Sequence, residues 1–517
     1  MARFKPYDYD QMVMIPITLK EQLEPGTLEY AIHELVENKI DTTIFEDRFK
    51  NDDTGAPAFD PKILLKIVLF AYTRGTIGSR PIERVCRENI IFMALGCGFQ
   101  PDHSTIAHFV SSMKEEIESI FCNILLVCEE LNLLGGSHFC LDGLKLPSNA
   151  SKEWSGTFDE LQKKRDKLQE KLNQVISEHI RTDDMSESDP SRREKQKKRL
   201  QRQVERLDEF LRENTPKQGK SKTEIQSNVT DNESAKMPTS HGVIQGYNAQ
   251  ALVDDKHQII VNADAMGNGQ DHDNLKPMLE GAQKNMQAIG KGEDYFEGTQ
   301  LSADCNYHNK DNLATCEKKR IDAYIPDPQF RKRDVRFADQ GRFKDGLNPR
   351  KRSPKEPISK SDKFMIDDFS YDEQTESYIC PNNKVLKRNA HATRIRNLIY
   401  DIYRAQESDC AACPFRQKCL SKNTTKRRNL LIPLQRAEEV QKKFSLVEAM
   451  KQKIDTHEGR RIYSRRLAIV EPVFANIRAQ KRLDRFTLRS KGKVNIQWLL
   501  FALVHNIEKI AHYGMAY

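Results

Sequence analysis

The sequence predicts a mixed α/β protein with a helical N-terminal region, a helical hairpin and a small cysteine-bearing insertion. Three observations lead to this prediction. Apolar residues recur at helical spacing before residue 130, short apolar runs typical of buried strands follow residue 137, and four cysteines cluster after residue 379. The 517 residues are enough for several domains and a large core, so stability requires neither disulfides nor metals.

Composition excludes two classes of protein. The longest apolar stretches, Ile63–Tyr72 and Ile496–Ile507, are shorter than the roughly 20 residues of a membrane-spanning helix. The opening residues contain no apolar segment typical of a secretion signal. Most of the 11 cysteines are scattered singly, as is usual in a reducing compartment. We therefore expect a cytoplasmic protein, with no membrane partner and no disulfide framework.

Positive charge is concentrated near the C-terminus. The net charge of the whole chain is +8, whereas residues 451–517 contain 14 Lys and Arg against 5 Asp and Glu. Such a concentration is typical of a segment that binds a polyanion. A solvated basic helix face is the alternative, and charge alone does not distinguish the two.

The first 130 residues are predicted to be helical. Pro61 begins an amphipathic run, a second helix follows Pro81, and Asp102 or Ser104 is a natural N-cap for a third. Two helices joined by a glycine-containing turn are compatible with a helix-turn-helix. An ordinary helical bundle gives the same pattern.

The central part of the chain alternates strand and helix patterns. Residues 137–143 and 300–304 are typical of short buried strands, each ending at a carboxylate, Asp142 and Asp304. Between them, heptad-like leucine spacing on both sides of a polar loop predicts an antiparallel coiled-coil hairpin over residues 158–213. The hairpin is therefore expected to be an insertion in the domain that carries the carboxylates.

Four cysteines form the most specific local pattern. Cys410 and Cys413 make a C-x2-C pair, Cys419 follows closely, and Cys380 precedes them. Four thiolates suit a tetrahedral zinc ion, and such a site has no open coordination position, so it would be structural. The alternatives are unligated thiols or a redox pair, and the two additional cysteines disfavour the redox pair.

Three carboxylates in separate elements could carry chemistry, namely Asp142, Asp304 and Glu471. Two Mg²⁺ ions about 3.5–4 Å apart can activate an attacking oxygen and stabilise a leaving one in phosphodiester chemistry. Each ion needs only one or two protein carboxylates. A single acid at a strand end is usually only solvated, and the pattern alone does not show that the three converge.

The order of these motifs resembles that of DDE transposases of bacterial insertion sequences, in the branch with a Tyr-Arg-Glu-Lys signature. The segments that carry the resemblance span nearly the whole chain, and they are Pro101–Thr105, Phe139–Gly143, Gln245–Asp254, Leu301–Tyr307, the cysteine cluster and Tyr463–Arg478.

This resemblance implies a ribonuclease-H-like mixed-sheet core over residues 137–326 and 430–517. An N-terminal all-helical DNA-binding domain would occupy residues 1–130, and a loop with a four-cysteine zinc insertion would occupy residues 327–429. The implied enzyme is Mg²⁺-dependent, with two ions held by the three carboxylates. The residues implied near the DNA are Tyr463, Arg466 and Arg478, the last standing where the family usually has Lys.

The resemblance also implies the partners and the place of action. Terminal inverted repeats and target DNA would be bound by a homodimer in a synaptic complex, in the bacterial cytoplasm with the nucleoid. A catalytically inactive, transposase-derived DNA-binding protein is the alternative, which the three intact acids disfavour.

Two details of the signature segment depend on its helix. Pro472 has no backbone N–H, so we expect it in a first helical turn or at a kink. If Glu471 lies in that first turn, the seven-residue spacing to Arg478 places both side chains on one helix face.

Overall fold

The computed structural model describes residues 18–48, 58–182, 190–219, 223–239, 242–334, 364–395, 398–420, 424–435 and 438–514. The chain divides into two compact units, one of residues 1–328 and 456–517 and the other of residues 329–455. Among the described residues, none of the helices combines the length and the apolar character that a bilayer span requires.

The helices of the described residues are α1 (Leu28–Asn38), α2 (Pro61–Thr73), α3 (Ser79–Glu88), α4 (Ile90–Leu95), α5 (His103–Ser112), α6 (Glu116–Glu130), α7 (Phe158–Thr182), α8 (Pro190–Glu213), α9 (Leu275–Ala288), α10 (Lys310–Lys318), α11 (Glu407–Ala411), α12 (Arg416–Cys419), α13 (Glu438–Asp455), α14 (His457–Ala475) and α15 (Lys491–Lys509).

The strands are β1 (His138–Pro147), β2 (Ser155–Gly156), β3 (Lys217–Gln218), β4 (Glu224–Ile225), β5 (Ser227–Asn228), β6 (Ala235–Thr239), β7 (Gly242–Asp254), β8 (Ile260–Met266), β9 (Gln300–Ala303), β10 (Asp322–Tyr324), β11 (Ser370–Asp372), β12 (Ser377–Ile379), β13 (Val385–Ile395), β14 (Leu398–Arg404) and β15 (Asn429–Gln435).

The helical N-terminal region is confirmed by α1–α6. Helix α2 begins at Pro61, as predicted. Asp102 caps α5 by accepting a hydrogen bond from the backbone N–H of Thr105 at 2.7 Å. These helices pack against α15, where the rings of Tyr72 and Phe501 lie 5.0 Å apart. The N-terminal helices therefore share a core with the C-terminal helix and belong to the same compact unit as the sheet.

The central sheet of the first unit is mixed, in the order β10-β9-β1-β7-β6, with β8 also paired to β7. Strand β1 is antiparallel to β7 and parallel to β9, and β9 is parallel to β10. Helix α15 lies against β8 and is buried through most of its length, as expected of a helix that is apolar on more than one face. This mixed sheet is consistent with the ribonuclease-H-like core of transposases.

Strand β1 is longer than the sequence suggested. The prediction that it ends at Asp142 was wrong, because β7 continues to pair with it as far as Pro147, which lies opposite Gly246. Asp142 thus lies in the middle of the strand, opposite Ala251. Asp304 does follow the end of β9, where it caps a short 3₁₀ turn.

Helices α7 and α8 form a hairpin. Leu161 near the start of α7 packs in one apolar cluster with Leu207 and Phe210 near the end of α8, so the helices run antiparallel. The predicted coiled-coil packing stays a prediction. Most of the polar loop between the helices lies outside the described residues.

The second unit is built on an antiparallel sheet in the order β11-β12-β13-β14-β15. Its apolar cluster consists of Phe369, Leu386, Tyr403, Ala405 and Leu430. The unit extends to Asp455, whereas the insertion was predicted to end at residue 429. Arg333, near the start of the unit, pairs with Asp455 at its end, at 2.5 Å. Most of the predicted loop over residues 327–362 lies outside the described part of the chain.

Candidate active site

The parallel pairing of β1 and β9 brings two of the predicted acids together. Leu141 lies opposite Ala303 in the register of these strands, so Asp142 and Asp304 occupy neighbouring positions one residue later. Burial raises the pKa of both carboxyls. The negative charge of Asp142 raises the pKa of Asp304 further, as expected for carboxylates that share a desolvated site.

A third carboxylate, Asp271, joins this pair and was missed in the sequence. It lies in a 3₁₀ turn after β8 and is only 9% exposed. Its Oδ1 accepts hydrogen bonds from Asn248 at 2.6 Å and Gln250 at 3.1 Å, and its Oδ2 accepts one from Asn306 at 3.3 Å. The charge of Asp271 adds to the rise in the pKa of the other two acids. A single Asp in a turn belongs to no periodic pattern, so no sequence signal marked it.

The backbone after Asp142 is packed tightly against the amides that hold Asp271. A Cβ atom at Gly143 would lie 2.0 Å from Nε2 of Gln250 and 2.7 Å from Oδ1 of Asn248. Only glycine fits this close approach. The Asp142-Gly143 pair noted in the sequence therefore has a steric reason, because the glycine makes room for the amide network.

Helix α14 places a cation against the acids. Arg466 is 9% exposed, and its Nη1 donates to Oδ2 of Asp142 at 2.8 Å. The guanidinium carbon lies 5.8 Å from the centre of the Tyr463 ring. The structure thus brings two of the predicted DNA-contacting residues to the carboxylates.

Glu471 lies on a different side of α14. It follows Arg466 by five residues, which corresponds to a rotation of about 140° around an α-helix. Arg466 faces Asp142, whereas Glu471 is exposed. In this structure, therefore, Glu471 does not lie beside Asp142 and Asp304.

Pro472 was expected in a first helical turn or at a kink, and the first-turn alternative is wrong. Pro472 lies inside α14 and not in its first turn, so it leaves the carbonyl of Ala468, four residues earlier, without its helical donor. The side-chain amide of Gln258 donates to that carbonyl at 3.0 Å. This replacement hydrogen bond explains why the helix continues through the proline.

Arg478 does not share a regular helix face with Glu471. It lies in a π-helical segment, Asn476–Gln480, that follows α14. A π-helical turn holds more residues than an α-helical one, so the spacing argument for a common face does not apply. Arg478 is exposed.

Part of the basic C-terminal segment is neutralised within the fold. Lys481 is fully buried and pairs with Glu508 at 2.5 Å. Arg465 pairs with Asp255 at 2.7 Å, and Arg466 pairs with Asp142. Because Asp255 and Asp142 lie outside residues 451–517, the net charge of this segment overstates the positive charge available to a polyanion.

The carboxylates fit a divalent cation as a pair rather than as a triad. Among the described residues, no three Asp, Glu, His or Cys side chains are arranged to hold one metal ion. Asp142 and Asp304 are nevertheless desolvated and subject to neighbouring negative charge, a cost that a cation would relieve. Mg²⁺ requires only one or two protein carboxylates, so these two residues fit the ion that DDE transposases use.

The four cysteines lie near one another in the second unit. Cys380, Cys410 and Cys419 pack against its apolar cluster. Burial raises the pKa of the Cys419 thiol, and electrostatic interaction with the other three cysteines raises it further. The backbone N–H of Lys384 also donates to Sγ of Cys380 at 3.4 Å. In the described structure these thiols are not arranged to hold one metal ion, so zinc binding stays a prediction.

Two segments near the ends of the chain match models of known protein families. Residues 379–511 match a family model described as "Transposase DDE domain", and residues 17–112 match one described as "Transposase domain (DUF772)". Two segments of the chain are thus similar to transposase domains, and the C-terminal one is similar to a DDE domain. These matches support the DDE transposase family that the sequence predicted, and with it a phosphoryl-transfer enzyme that binds DNA. No curated protein matches the chain.

The matches cover the site unevenly. The DDE domain match includes Arg466, Glu471 and Arg478, together with the cysteine cluster. The other match covers α1–α5. Neither includes Asp142 or Asp304, so the assignment of these two acids in the transposase depends on the sheet register and on their shared environment.

Proposed function

We propose that this chain is a Mg²⁺-dependent DNA transposase of an insertion sequence, which cleaves DNA at the element ends and transfers the released strands into target DNA. One observation carries the proposal. Asp142 and Asp304 occupy neighbouring positions on parallel strands, in a mixed sheet, within a chain of which two segments are similar to transposase domains.

Asp142 and Asp304 would hold Mg²⁺, which when bound stabilises negative charge on the phosphate and favours an ionised attacking oxygen. Asp271 would be linked to Asp304 through the amide of Asn306, which donates to both carboxylates, and its negative charge would add to the attraction of the site for the ion. Cleavage leaves a 3′-hydroxyl on the element end, and this hydroxyl is the nucleophile that joins the end to a target phosphate.

Arg466 would alternate between two partners. Without DNA it neutralises Asp142. A scissile phosphate offers the guanidinium a bidentate acceptor, so we propose that Arg466 moves to the phosphate when DNA binds, with Tyr463 packed beside it. Glu471 is retained as the third acid, which requires α14 to change its orientation near Pro472 in the DNA complex.

The remaining roles follow the order of the elements. Helices α1–α6 would recognise the terminal inverted repeats, and Arg478 would hold a phosphate without reading sequence. Two copies would join two ends in a synaptic complex. The four cysteines would hold a structural zinc ion.

Strand cleavage tests this proposal directly. Duplexes made from the sequences that flank the coding region are incubated with the protein and Mg²⁺, and the 3′-hydroxyl products are mapped. Asp142→Asn should bind these duplexes and fail to cut them. Cutting by the Asp142→Asn variant at the wild-type rate would show that the site is wrongly assigned.

The pairing of Arg466 with Asp142 also favours a second candidate, a catalytically inactive DNA-binding protein. The guanidinium already occupies the position beside Asp142 that a metal ion would take. The same assay separates the two candidates. Wild-type protein that binds the flanking duplexes with high affinity, but leaves them intact in Mg²⁺ and in Mn²⁺, would support the inactive protein.

A further inference from the structure

A groove beside the helical hairpin is lined mainly by cations. It encloses about 540 Å³, and Trp154 forms part of its wall. The cations that line it are Lys195, Lys198, Arg199, Arg202 and Arg206. Among the described residues, no carboxylate lines this groove.

The cations form one stripe on α8. The positions 195, 198, 199, 202 and 206 recur at the three- and four-residue spacing of one helix face, and all five side chains are exposed. Val204 and Leu207 of the same helix are buried, so the helix packs through a different face. At 1.5 Å per residue the stripe is about 16 Å long.

Little within the fold compensates these charges. Among the described residues, Lys198 pairs only with Glu194 of its own helix, at 3.5 Å, and a solvent-accessible pair of this kind contributes little. In the described part of the chain, no carboxylate forms an ion pair with Lys195, Arg199 or Arg202. A row of exposed like charges on one helix face is unfavourable unless an anion binds to it.

Trp154 adds an aromatic surface to this row. The ammonium of Lys164 lies 4.6 Å from the centre of its indole ring and the guanidinium of Arg206 lies 5.9 Å from it. The ring is half-buried and thus fixes two cations at the end of the stripe.

We propose that this groove binds the sugar–phosphate backbone of duplex DNA, as a surface distinct from the carboxylate site. A stripe of about 16 Å spans about five phosphates of one strand at 3.4 Å of axial rise per phosphate. Trp154 is the only apolar side chain among the residues that line the groove in the described structure, whereas a contact with a second protein copy would bury a larger apolar core. The binding depends on phosphates and is independent of base sequence.

The inference rests on the proposed function in one respect, because it takes DNA to be the polyanion that this protein binds. The test is the salt dependence of binding to a fluorescent duplex of random sequence, measured by anisotropy with the full-length protein. The groove variant is Lys195→Gln/Arg199→Gln/Arg202→Gln. The matched control, Lys163→Gln/Lys167→Gln/Lys171→Gln, removes three exposed cations from α7, outside the groove.

The groove variant should flatten the log–log salt slope by about two to three units, because each phosphate contact contributes about 0.9. The control should change the slope by less than about one unit. Trp154→Phe should also abolish the change in intrinsic fluorescence on DNA binding, since Trp498 is fully buried.

Equal slopes for the two triple variants would overturn the inference. So would a groove variant that dissociates a DNA-free dimer in sedimentation, because the groove would then hold a second copy. Failure of the proposed function looks different. If the protein never cuts DNA but the salt slope still falls only in the groove variant, the inference stands. If the protein cuts DNA and both triple variants keep the wild-type salt slope of binding, the inference is wrong.

Discussion

Arg466 is the residue whose removal should expose the electrostatics of the site. It pairs with Asp142 at 2.8 Å, and the two side chains are 10% and 23% exposed. Arg466→Gln leaves a desolvated carboxylate without its cation, so we expect a loss of about 2–3 kcal/mol in the free energy of unfolding at neutral pH. Denaturant titration of purified protein measures this loss.

The double variant Asp142→Asn/Arg466→Gln is the control for that loss. It removes both charges, so it should be more stable than Arg466→Gln alone, since the cost arises from the unpaired carboxylate. Equal stability of the single and double variants would mean that Arg466 contributes through packing and not through its charge.

Replacing Asp304 should increase stability at neutral pH and reduce activity. Burial raises its pKa, and the charges of Asp142 and Asp271 raise it further. A carboxyl with a raised pKa in the folded state favours folding at low pH, and this contribution is lost as pH rises through the folded-state pKa. Asp304→Asn removes the titration and keeps a good N-cap. Without metal, the variant should therefore match the wild type in acid and exceed its stability at neutral pH.

Two measurements check this prediction for Asp304. Thermal unfolding without divalent ions gives the difference in stability at each pH. Cleavage with Mg²⁺ should fall by about a thousandfold or more, since a lost metal ligand forfeits several kcal/mol of charge stabilisation. A stability difference that is the same at every pH would contradict the electrostatic account.

At the scale of elements, the contact between the β7–β8 turn and α14 depends on Gln258. Its amide donates to the carbonyl of Ala468 that Pro472 leaves unpaired, while its Oε1 accepts from Lys509 at 2.9 Å. Gln258→Glu keeps the acceptor and removes the donor. We expect the variant to lose about 1 kcal/mol of stability, measured by denaturant titration.

Pro472→Ala provides the matched background for this test. It restores a backbone N–H at position 472 that can reach the carbonyl of Ala468, so Gln258→Glu should cost clearly less in that background. The same cost in both backgrounds would show that the side chain of Gln258 acts through Lys509 or through the turn instead.

The cysteine-bearing element should depend on metal. If Cys380, Cys410, Cys413 and Cys419 hold zinc, the purified protein carries about one zinc per chain, and Cys413→Ser releases it and increases hydrogen exchange over residues 380–420. Elemental analysis and exchange measured by mass spectrometry check the two parts. Freshly reduced protein without zinc, and with unchanged exchange in the variant, would contradict the prediction.

At the scale of the whole molecule, local sequence signals predicted the helices and strands but not which of them pack together. Helical spacing and caps located α2 and α5, and apolar runs located β1 and β9, because these features depend on neighbouring residues. The tertiary partners could not be read in this way. Asp271 lies near Asp142 because β7 pairs with β1 and because the amides of Asn248 and Gln250 on β7 donate to Asp271. These residues are far apart in the sequence, so no local pattern links them.

The place of Glu471 shows the same limit. The sequence indicated correctly that Pro472 lacks a donor, but the donor that compensates for it, Gln258, lies 210 residues before the carbonyl that it serves. With that hydrogen bond, α14 continues through the proline and Glu471 faces away from Arg466. Helix rules alone place the proline in a first turn or at a kink, and they do not identify a donor that is distant in the sequence.

The last prediction concerns the border between the N-terminal helices and the sheet. The sequence suggested a separate domain over residues 1–130, whereas Tyr72 of α2 packs on Phe501 of α15, and both side chains are buried. Helix α15 also lies against β8, where Asn506 Oδ1 accepts from the N–H of Ile260 at 2.9 Å. Because one helix supports both parts, we expect them to unfold together.

Phe501→Ala tests this coupling by opening a cavity between the two parts. It should cost about 3–5 kcal/mol and raise hydrogen exchange in α2 and in β8 to the same extent. Leu126→Ala, at a position that is 41% exposed on α6, is the control and should cost less than about 0.5 kcal/mol. If α2 lost protection in Phe501→Ala while β8 kept it, the helices would be a separate domain, and binding of the terminal repeats could be tested on that fragment alone.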